Sequence, residues 1–330
     1  VSVASPQFGT TAQVTIIPPF GPGVLVNPDL TPGVTQGRVD WQVVKGIGGS
    51  TGSQASVRCY NLSASSRRRA SGIVKRTIDF SDEFAFLDGR LVTGADVGGT
   101  STISTLNGFG SLTLKARYQG SSTTASLFEG TATAVISEHR RNTWTTDITG
   151  SDGVLQSSSA VADKFWGSTV PAVEVLTYLG RVMGTELATP YPPELSGYAF
   201  VGGFDATNYY ASDILDQLTT LTKTEWWLDD GAVYFSSLGL PLPVTPIVIS
   251  SSGAPGTVRM LSKPRPIEGG LLEVRCLLLP EMRPKTPVTL ISAEFGGSYF
   301  ASAVRHNGSN RGGVSTTTPT LTPVGVLGFL

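Results

Sequence analysis

The chain is poor in the residues that usually carry chemistry. Its 330 residues hold two cysteines, two histidines and three methionines. Cys59 and Cys276 lie far apart in strand-like runs, so a zinc site, which needs more ligands at closer spacing, is not expected. Two buried thiols are the reading for this pair, with a disulfide left open. His139 and His306 each stand at a strand end beside an arginine, with no carboxylate and nucleophile near them in sequence. They read as surface or interface residues rather than general bases. Charge is scarce as well: 15% of residues are charged and the net charge is −1. That balance argues against a nucleic-acid binder held by phosphate neutralisation. It suits a chain whose surface is covered by neighbours in a permanent assembly. Long apolar runs are missing too, since Leu271 to Leu279 is interrupted by Glu273 and Arg275, and no membrane insertion is expected. No basic segment followed by an apolar one opens the sequence, which reads as soluble and non-exported.

Motifs for catalysis are equally thin. Gly48-Gly-Ser-Thr-Gly52 fits the G-x-S-x-G string, but a nucleophile elbow needs a strand before the serine and a helix after it, and here a strand-like run follows. Asp229-Asp230-Gly231 between two apolar runs is turn chemistry before it is a glycosidase pair. Trp226 and Trp227 sit on alternate faces of a strand, where a core or an interface is their ordinary place. Arg67-Arg68-Arg69 reads as a solvated turn, because no aromatic residue interleaves with it. No phosphate loop follows any glycine-rich run. The expectation is a protein without catalytic residues, cofactor or metal.

What the sequence does have is glycine, serine, threonine and a period of two. Leu112 to Gly153 alternates apolar and polar residues, interrupted by Gly or Ser clusters every eight to twelve residues, as antiparallel strands with one buried face do. With 40% hydrophobic residues the chain can build a sizeable core. In order, residues 1–37 read as an extended Pro-rich arm that wraps a neighbour. Residues 38–153 form a first β-domain, with an irregular, turn-rich excursion over about 72–110. Residues 154–256 are mixed. Pro171 opens a helix that Gly184 ends, Tyr198 to Gly202 is a short strand open to assignment to the second β-domain, and Ser212 caps a second helix. Glu225 to Leu228 and Ala232 to Ser236 make a hairpin. Residues 257–313 form a second β-domain, and 314–330 read as a Thr/Pro-rich arm.

This succession resembles the central baseplate hub proteins of contractile-tailed, Mu-like phages, which are related to the hub part of type VI secretion spikes. The resemblance rests on Arg58 to Leu62, Lys115 to Gly120, Leu127 to Gly130, and Trp144 through Asp152-Gly153. It continues in Ile214 to Leu218, Trp226 to Gly231, Gly269 to Arg275, Leu278 to Pro284 and Val304 to Gly308, all in the right order. It implies a mainly β fold with minor α: two similar antiparallel β-barrel tube-type domains with a helix-plus-hairpin insertion between them. It further implies a homotrimer whose duplicated barrels form a pseudo-sixfold ring, joining a hexameric tail tube to a trimeric spike and lining the DNA channel. The implied partners are the tail tube protein, the spike protein, other baseplate proteins, the tape measure, and genomic DNA that passes without sequence-specific binding. The implied location is the baseplate of a virion tail assembled in the bacterial cytoplasm. Tyr118, Phe128, Trp144, Trp226 and Trp227 are the candidate packing anchors. Arg140, Arg141 and His306 are candidates for subunit or tube contacts. The rival readings are a tail-tip host-binding β-module and a tail-associated cell-wall hydrolase.

Overall fold

The computed structural model describes residues 10–18, 23–27, 37–47, 52–70, 73–79, 84–87, 90–93, 100–106, 110–118, 124–140, 143–153, 159–311 and 314–325, with backbone alone between 73 and 106. The fold is mainly β with few helices. In the N-terminal half the strands are β1 (Thr10–Ile17), β2 (Val24–Val26), β3 (Val39–Gly46) and β4 (Gln54–Tyr60), then helix α1 (Ala64–Ala70). β5 (Ile73–Asp79), β6 (Phe84–Leu87), β7 (Arg90–Thr93) and β8 (Thr100–Leu106) follow, and then β9 (Gly110–Tyr118), β10 (Ala125–Arg140) and β11 (Thr143–Ser151).

The period of two does the work expected of it. In β3, Val39, Trp41 and Val43 face inward, and in β9 Leu112, Leu114 and Ala116 do the same. The run from Ser126 to Ser137 lies within one long strand, β10. Its bulges between Ser126 and Phe128 and between Ala132 and Ala134 absorb the register slips.

Three expectations for this half are corrected. Residues 10–17 are not an arm: β1 pairs with β9 from Thr10↔Tyr118 to Ile17↔Ser111 and buries Ala12, Val14 and Ile16 in the chain's own core. The flanking prolines hid an alternation that was present all along. The 72–110 excursion is not irregular either, because β5 pairs with β8 and β6 with β7 as two nested antiparallel ladders. Arg67 to Arg69 are helical rather than in a turn. Ser63 Oγ caps α1 by accepting from the Ser66 amide at 3.0 Å, and the Arg67 guanidinium lies 3.7 Å over the ring of Trp144.

The middle of the chain carries three ladders of two-residue strands. β12 (Val161–Ala162) pairs with β18 (Tyr209–Tyr210), β13 (Phe165–Trp166) with β17 (Phe204–Asp205), and β14 (Val170–Pro171) with β16 (Ala199–Phe200). The Tyr198–Gly202 strand therefore belongs to this unit and not to the second β-unit. Helix α2 (Ala172–Met183) starts after Pro171 and stops at Gly184, whose φ of 64° is the left-handed C-terminal signature. β15 (Glu186–Leu187) and the one-turn α3 (Pro193–Ser196) lead to α4 (Ala211–Thr222). There Tyr210, not Ser212, holds the N-cap position, and Ser212 is buried in the first turn. β19 (Thr224–Asp229) and β20 (Ala232–Ser237) form the hairpin, with Asp230 and Gly231 at φ of 51° and 78°. Two successive positive φ values are the mark of the turn type that matches strand twist.

The C-terminal strands are β21 (Ile247–Ser250), β22 (Val258–Arg259), β23 (Arg265–Ile267), β24 (Leu271–Glu273), β25 (Cys276–Leu277), β26 (Pro287–Ile291), β27 (Gly297–Ser309) and β28 (Thr316–Pro323). The proposed C-terminal arm is corrected here: β28 pairs with β27, β24 and β25 and buries Thr317 and Leu321. Pro319 argues against a strand in the sequence, because it lacks the ladder donor. It sits opposite the break between β24 and β25, outside both of those ladders, and its carbonyl accepts from the Val274 amide at 3.2 Å.

β27 is the hinge pin of the architecture. One edge runs along β28, while the other pairs first with β26 and then, from Ala303, with β3. Both β-rich halves thus share a single 15-stranded sheet. Among the described residues there are three apolar clusters: one under the N-terminal strands, one in the middle unit around Leu176, Leu215 and Trp226, and one around Ile249, Val274 and Val304. Cys59 and Cys276 are buried free thiols in the first and third.

Candidate functional site

The three clusters meet at the β19–β20 hairpin, and the meeting is ionic. In β3 the alternation Val39, Trp41, Val43 places the next inward position at Lys45, which is 0% exposed. Its Nζ lies 2.7 Å from Asp229 Oδ1 and 3.2 Å from Asp230 Oδ2 at the hairpin turn. Ser53 Oγ adds a hydrogen bond to Asp229 Oδ1 at 3.3 Å. From the C-terminal half Arg283 reaches the same carboxylates, with Nη2 at 3.2 Å from Asp230 Oδ2 and Nε at 3.6 Å from Asp229 Oδ2. It also donates to the Tyr234 hydroxyl. Asp152, at the end of β11, accepts from the Gly231 amide at 3.1 and 3.2 Å. At the open end of the hairpin the buried Lys285 pairs with Glu225, which also accepts from the Gly239 amide at 2.9 Å. The Lys285 ammonium stands 4.3 Å over the ring of Phe300.

Burial shapes these groups. It pushes Asp229 up, against the pull of Lys45. It works to lower Arg283, but Asp229 and the neighbouring Tyr234 and Asp230 outweigh it and the guanidinium stays charged. It lowers Lys285, with Glu225 opposing. Asp152 is pushed up to about 7, first by burial and then by Asp229 and Asp230, while the Gly231 amide and Lys45 pull it back. A proton on Asp152 leaves two carboxylates facing two cations, so the cluster is neutral.

Asp152 therefore holds a proton that the unfolded chain releases above its ordinary 3.8. Its contribution to stability is full below about pH 4 and is lost as the pH rises through about 7. Asp152→Asn removes this slope while keeping an acceptor for Gly231. In urea unfolding at pH 5 and pH 8, the native chain should lose on the order of 2–3 kcal/mol more than the variant. Parallel losses would show that Asp152 is ionised throughout.

Chemically, the arrangement clamps rather than reacts. Asp229 is 0% exposed, and the carboxylate pair is held from two sides by Lys45 and Arg283. That is no site for a glycosidase acid and base with room for sugar and water. Among the described residues no group of three His, Cys, Asp or Glu side chains is placed to hold a metal. No described helix is long and apolar enough to cross a membrane. The G-x-S-x-G serine lies outside the described residues.

No family model matches the sequence, and no curated relative does. The fold does have counterparts among solved structures. The 43 kDa tail protein of prophage MuSo2 from Shewanella oneidensis is similar with a TM-score of 0.55 over 95% of this chain and 97% of its own, at 8% identity. Its fold is shared with phage tail proteins. A tail protein from Neisseria meningitidis gives the same TM-score of 0.55, at 10% identity over 96% and 98% of the two chains. A component of the E. coli type VI secretion system is more distant, with a TM-score of 0.48 and 9% identity.

Within this tail-protein fold the candidate residues fall into distinct places. Phe128, Trp226 and Trp227 are buried. Trp226 Nε1 donates to Asp216 at 2.7 Å, and Trp227 stacks on Tyr234 with centroids 5.6 Å apart. Trp144 is half-buried between Arg67 and His139, whose ring centroid is 4.9 Å away. His306 is a correction: it is 0% exposed, with Nδ1 3.0 Å from Thr317 Oγ1, so its side chain does not reach a subunit or tube surface. Burial, with Lys45 adding, pushes it down to about 3 and keeps the ring neutral. Arg141 and the side chains of Tyr118 and Arg140 lie outside the described residues. Lys45, Asp152, Glu225, Arg283 and Lys285 were missed from sequence. The signal for the first was a lysine at an inward position of an alternating strand.

Proposed function

We propose that the chain is a structural protein of a phage tail, a central baseplate hub that works as a homotrimer. The observation that carries the reading is the fold shared over 95% of this chain with a tail protein of a Mu-like prophage. Sparse charge supports a covered surface. The ionic clamp at the hairpin supports a rigid body: it ties both halves of the sheet to the middle unit, which suits a part that transmits load and not one that turns over substrate. The locked Asp229–Asp230 pair supports a non-enzymatic role.

In this reading the two β-rich halves act as two barrel-like units, and three subunits present six of them. A threefold protein then matches a hexameric tail tube on one side and a trimeric spike on the other, around a channel for DNA. Closure of the first unit finds support in Thr10, whose hydroxyl bonds Ser309 O at 3.3 Å and meets Ser315, bringing the edge of β1 to β27. The division at about residue 153 is supported by the separate first and second apolar clusters, whereas β21, with Ile249 in the third cluster, moves the start of the second β-unit ahead of residue 256. Arg140 ends β10 and, with Arg141, is proposed at contacts with neighbouring subunits or the tube, while Tyr118 at the end of β9 is proposed as a packing anchor. The protein acts in the virion baseplate, beside other baseplate proteins and the tape measure.

Light scattering on the purified protein, alone and with spike and tube proteins, tests the assembly. The expected species is three times the 34.6 kDa chain mass. A monomer under every condition would contradict the reading.

A further inference from the structure

The outer face of the C-terminal β-unit carries a second charged feature, unrelated to the clamp. A recess of about 380 Å³ is lined by Lys263, Arg265, Glu273, Arg275, Arg305 and Thr318, among others. The sheet explains the gathering. Arg305 is directly across from Thr318 in the β27–β28 ladder. The Val274 amide bonds Pro319 O and Cys276 is opposite Thr317, so Arg275 stands level with Thr318 on its other flank. The row Arg275–Thr318–Arg305 therefore runs from the break between β24 and β25 across β28 to β27, and the two arginine Cα atoms are about 10 Å apart. Their inward neighbours Val274, Cys276, Val304 and His306 are buried, so both guanidinium groups stand on the exposed face.

The other two cations in the recess are already engaged: Arg265 Nη2 is 2.9 Å from Glu273 Oε1, and Lys263 Nζ is 3.7 Å from Glu294 Oε1. Neither the Arg275 nor the Arg305 side chain has a hydrogen-bond or ion-pair partner among the described residues. Two like charges held across one threonine repel each other, and only an anion placed between them turns that cost into attraction. In a chain with 15% charged residues this is a concentrated feature.

We propose that the Arg275–Thr318–Arg305 row is a docking site for carboxylate side chains of an acidic segment on a protein partner. The chemistry selects a peptide over a nucleic acid. The recess has no aromatic side chain among its lining residues to stack a base. Glu273 lines the recess and Glu294 pairs with its Lys263; such carboxylates repel a continuous phosphate chain but interleave with a peptide that carries isolated carboxylates. The Thr318 hydroxyl and the two guanidinium forks supply the donors that a carboxylate takes.

The test is fluorescence anisotropy of the full-length protein with a labelled peptide of alternating Glu and Gly, and with a single-stranded oligonucleotide of equal charge. The peptide should bind more tightly than the oligonucleotide, and binding should weaken with salt. Arg275→Gln and Arg305→Gln should each weaken it about tenfold, and the double variant should abolish it. Lys263→Gln, removing a cation already paired, should change it less than about twofold. An unchanged unfolding midpoint in the variants shows that they are folded, as expected for exposed positions. Peptide affinity equal to that of the native chain in the double variant would overturn the proposal. So would tighter binding of the oligonucleotide, or no binding at millimolar peptide.

Discussion

Lys45→Met should destabilise the protein by about 3–5 kcal/mol at pH 8. The side chain is fully buried, and its ammonium is the closest cation to Asp229. Methionine keeps the volume and removes the charge, which leaves a buried carboxylate beside Asp230 with Arg283 as its one other cation among the described residues. Two further results separate this cause from simple loss of packing. Adding Asp229→Asn should recover at least half of the loss, because the uncompensated charge goes with it. The loss should also shrink toward acid pH, where Asp229, already pushed up by burial, takes a proton. Urea unfolding of the single and double variants at two pH values reads all of this. A Lys45→Met chain within about 1 kcal/mol of the native one would mean that the cluster is wet and that its ion pairs contribute little.

Phe128→Ala should cost about 3–5 kcal/mol for a different reason. The ring lies in the first core at 0% exposure and covers two glycines of the sheet. A Cβ on Gly130 would come within 2.7 Å of Phe128 Cζ, and one on Gly150 within 3.0 Å of its Cε1. The backbone approaches this closely because the ring fills the place of side chains that are not there. Truncation empties that space at the centre of the sheet, where the strands cannot collapse without breaking the β9–β10–β11 ladders. Thermal unfolding should show a lower midpoint. A shift no greater than that of an exposed substitution would place the ring outside the core.

These two residues also mark how far the sequence could be read. Phe128 stood in an apolar run, but it follows the buried Leu127 at a bulge, so period alone does not give its burial. β3, β9 and β11 do follow from the pattern, and so do the hairpin with its Asp-Asp-Gly turn and the helix bracketed by Pro171 and Gly184. The misreadings share a physical cause. Residues 10–17 and 316–323 sit among prolines, which count against strands in sequence, yet β1 keeps its prolines outside the ladder and β28 places Pro319 at a gap in its partner edge. Arg67 to Arg69 looked like a solvated turn because seven residues are too few to show a helical period. The clamp was invisible for a deeper reason. Lys45, Asp152, Asp229 and Arg283 come from four separated parts of the chain, and each alone is an ordinary surface residue type. Only their convergence makes them a site, and convergence is a property of the tertiary fold.

The central claim is that this tail-protein fold builds a threefold ring. Electron microscopy of the purified protein, alone and mixed with tail components, tests it most directly. The account predicts three-fold rings with about six β-lobes around an open channel, two from each subunit. Compact monomers in both preparations, above all with glycan binding or wall-degrading activity, would contradict it and move the assignment to a tail-tip binder or enzyme.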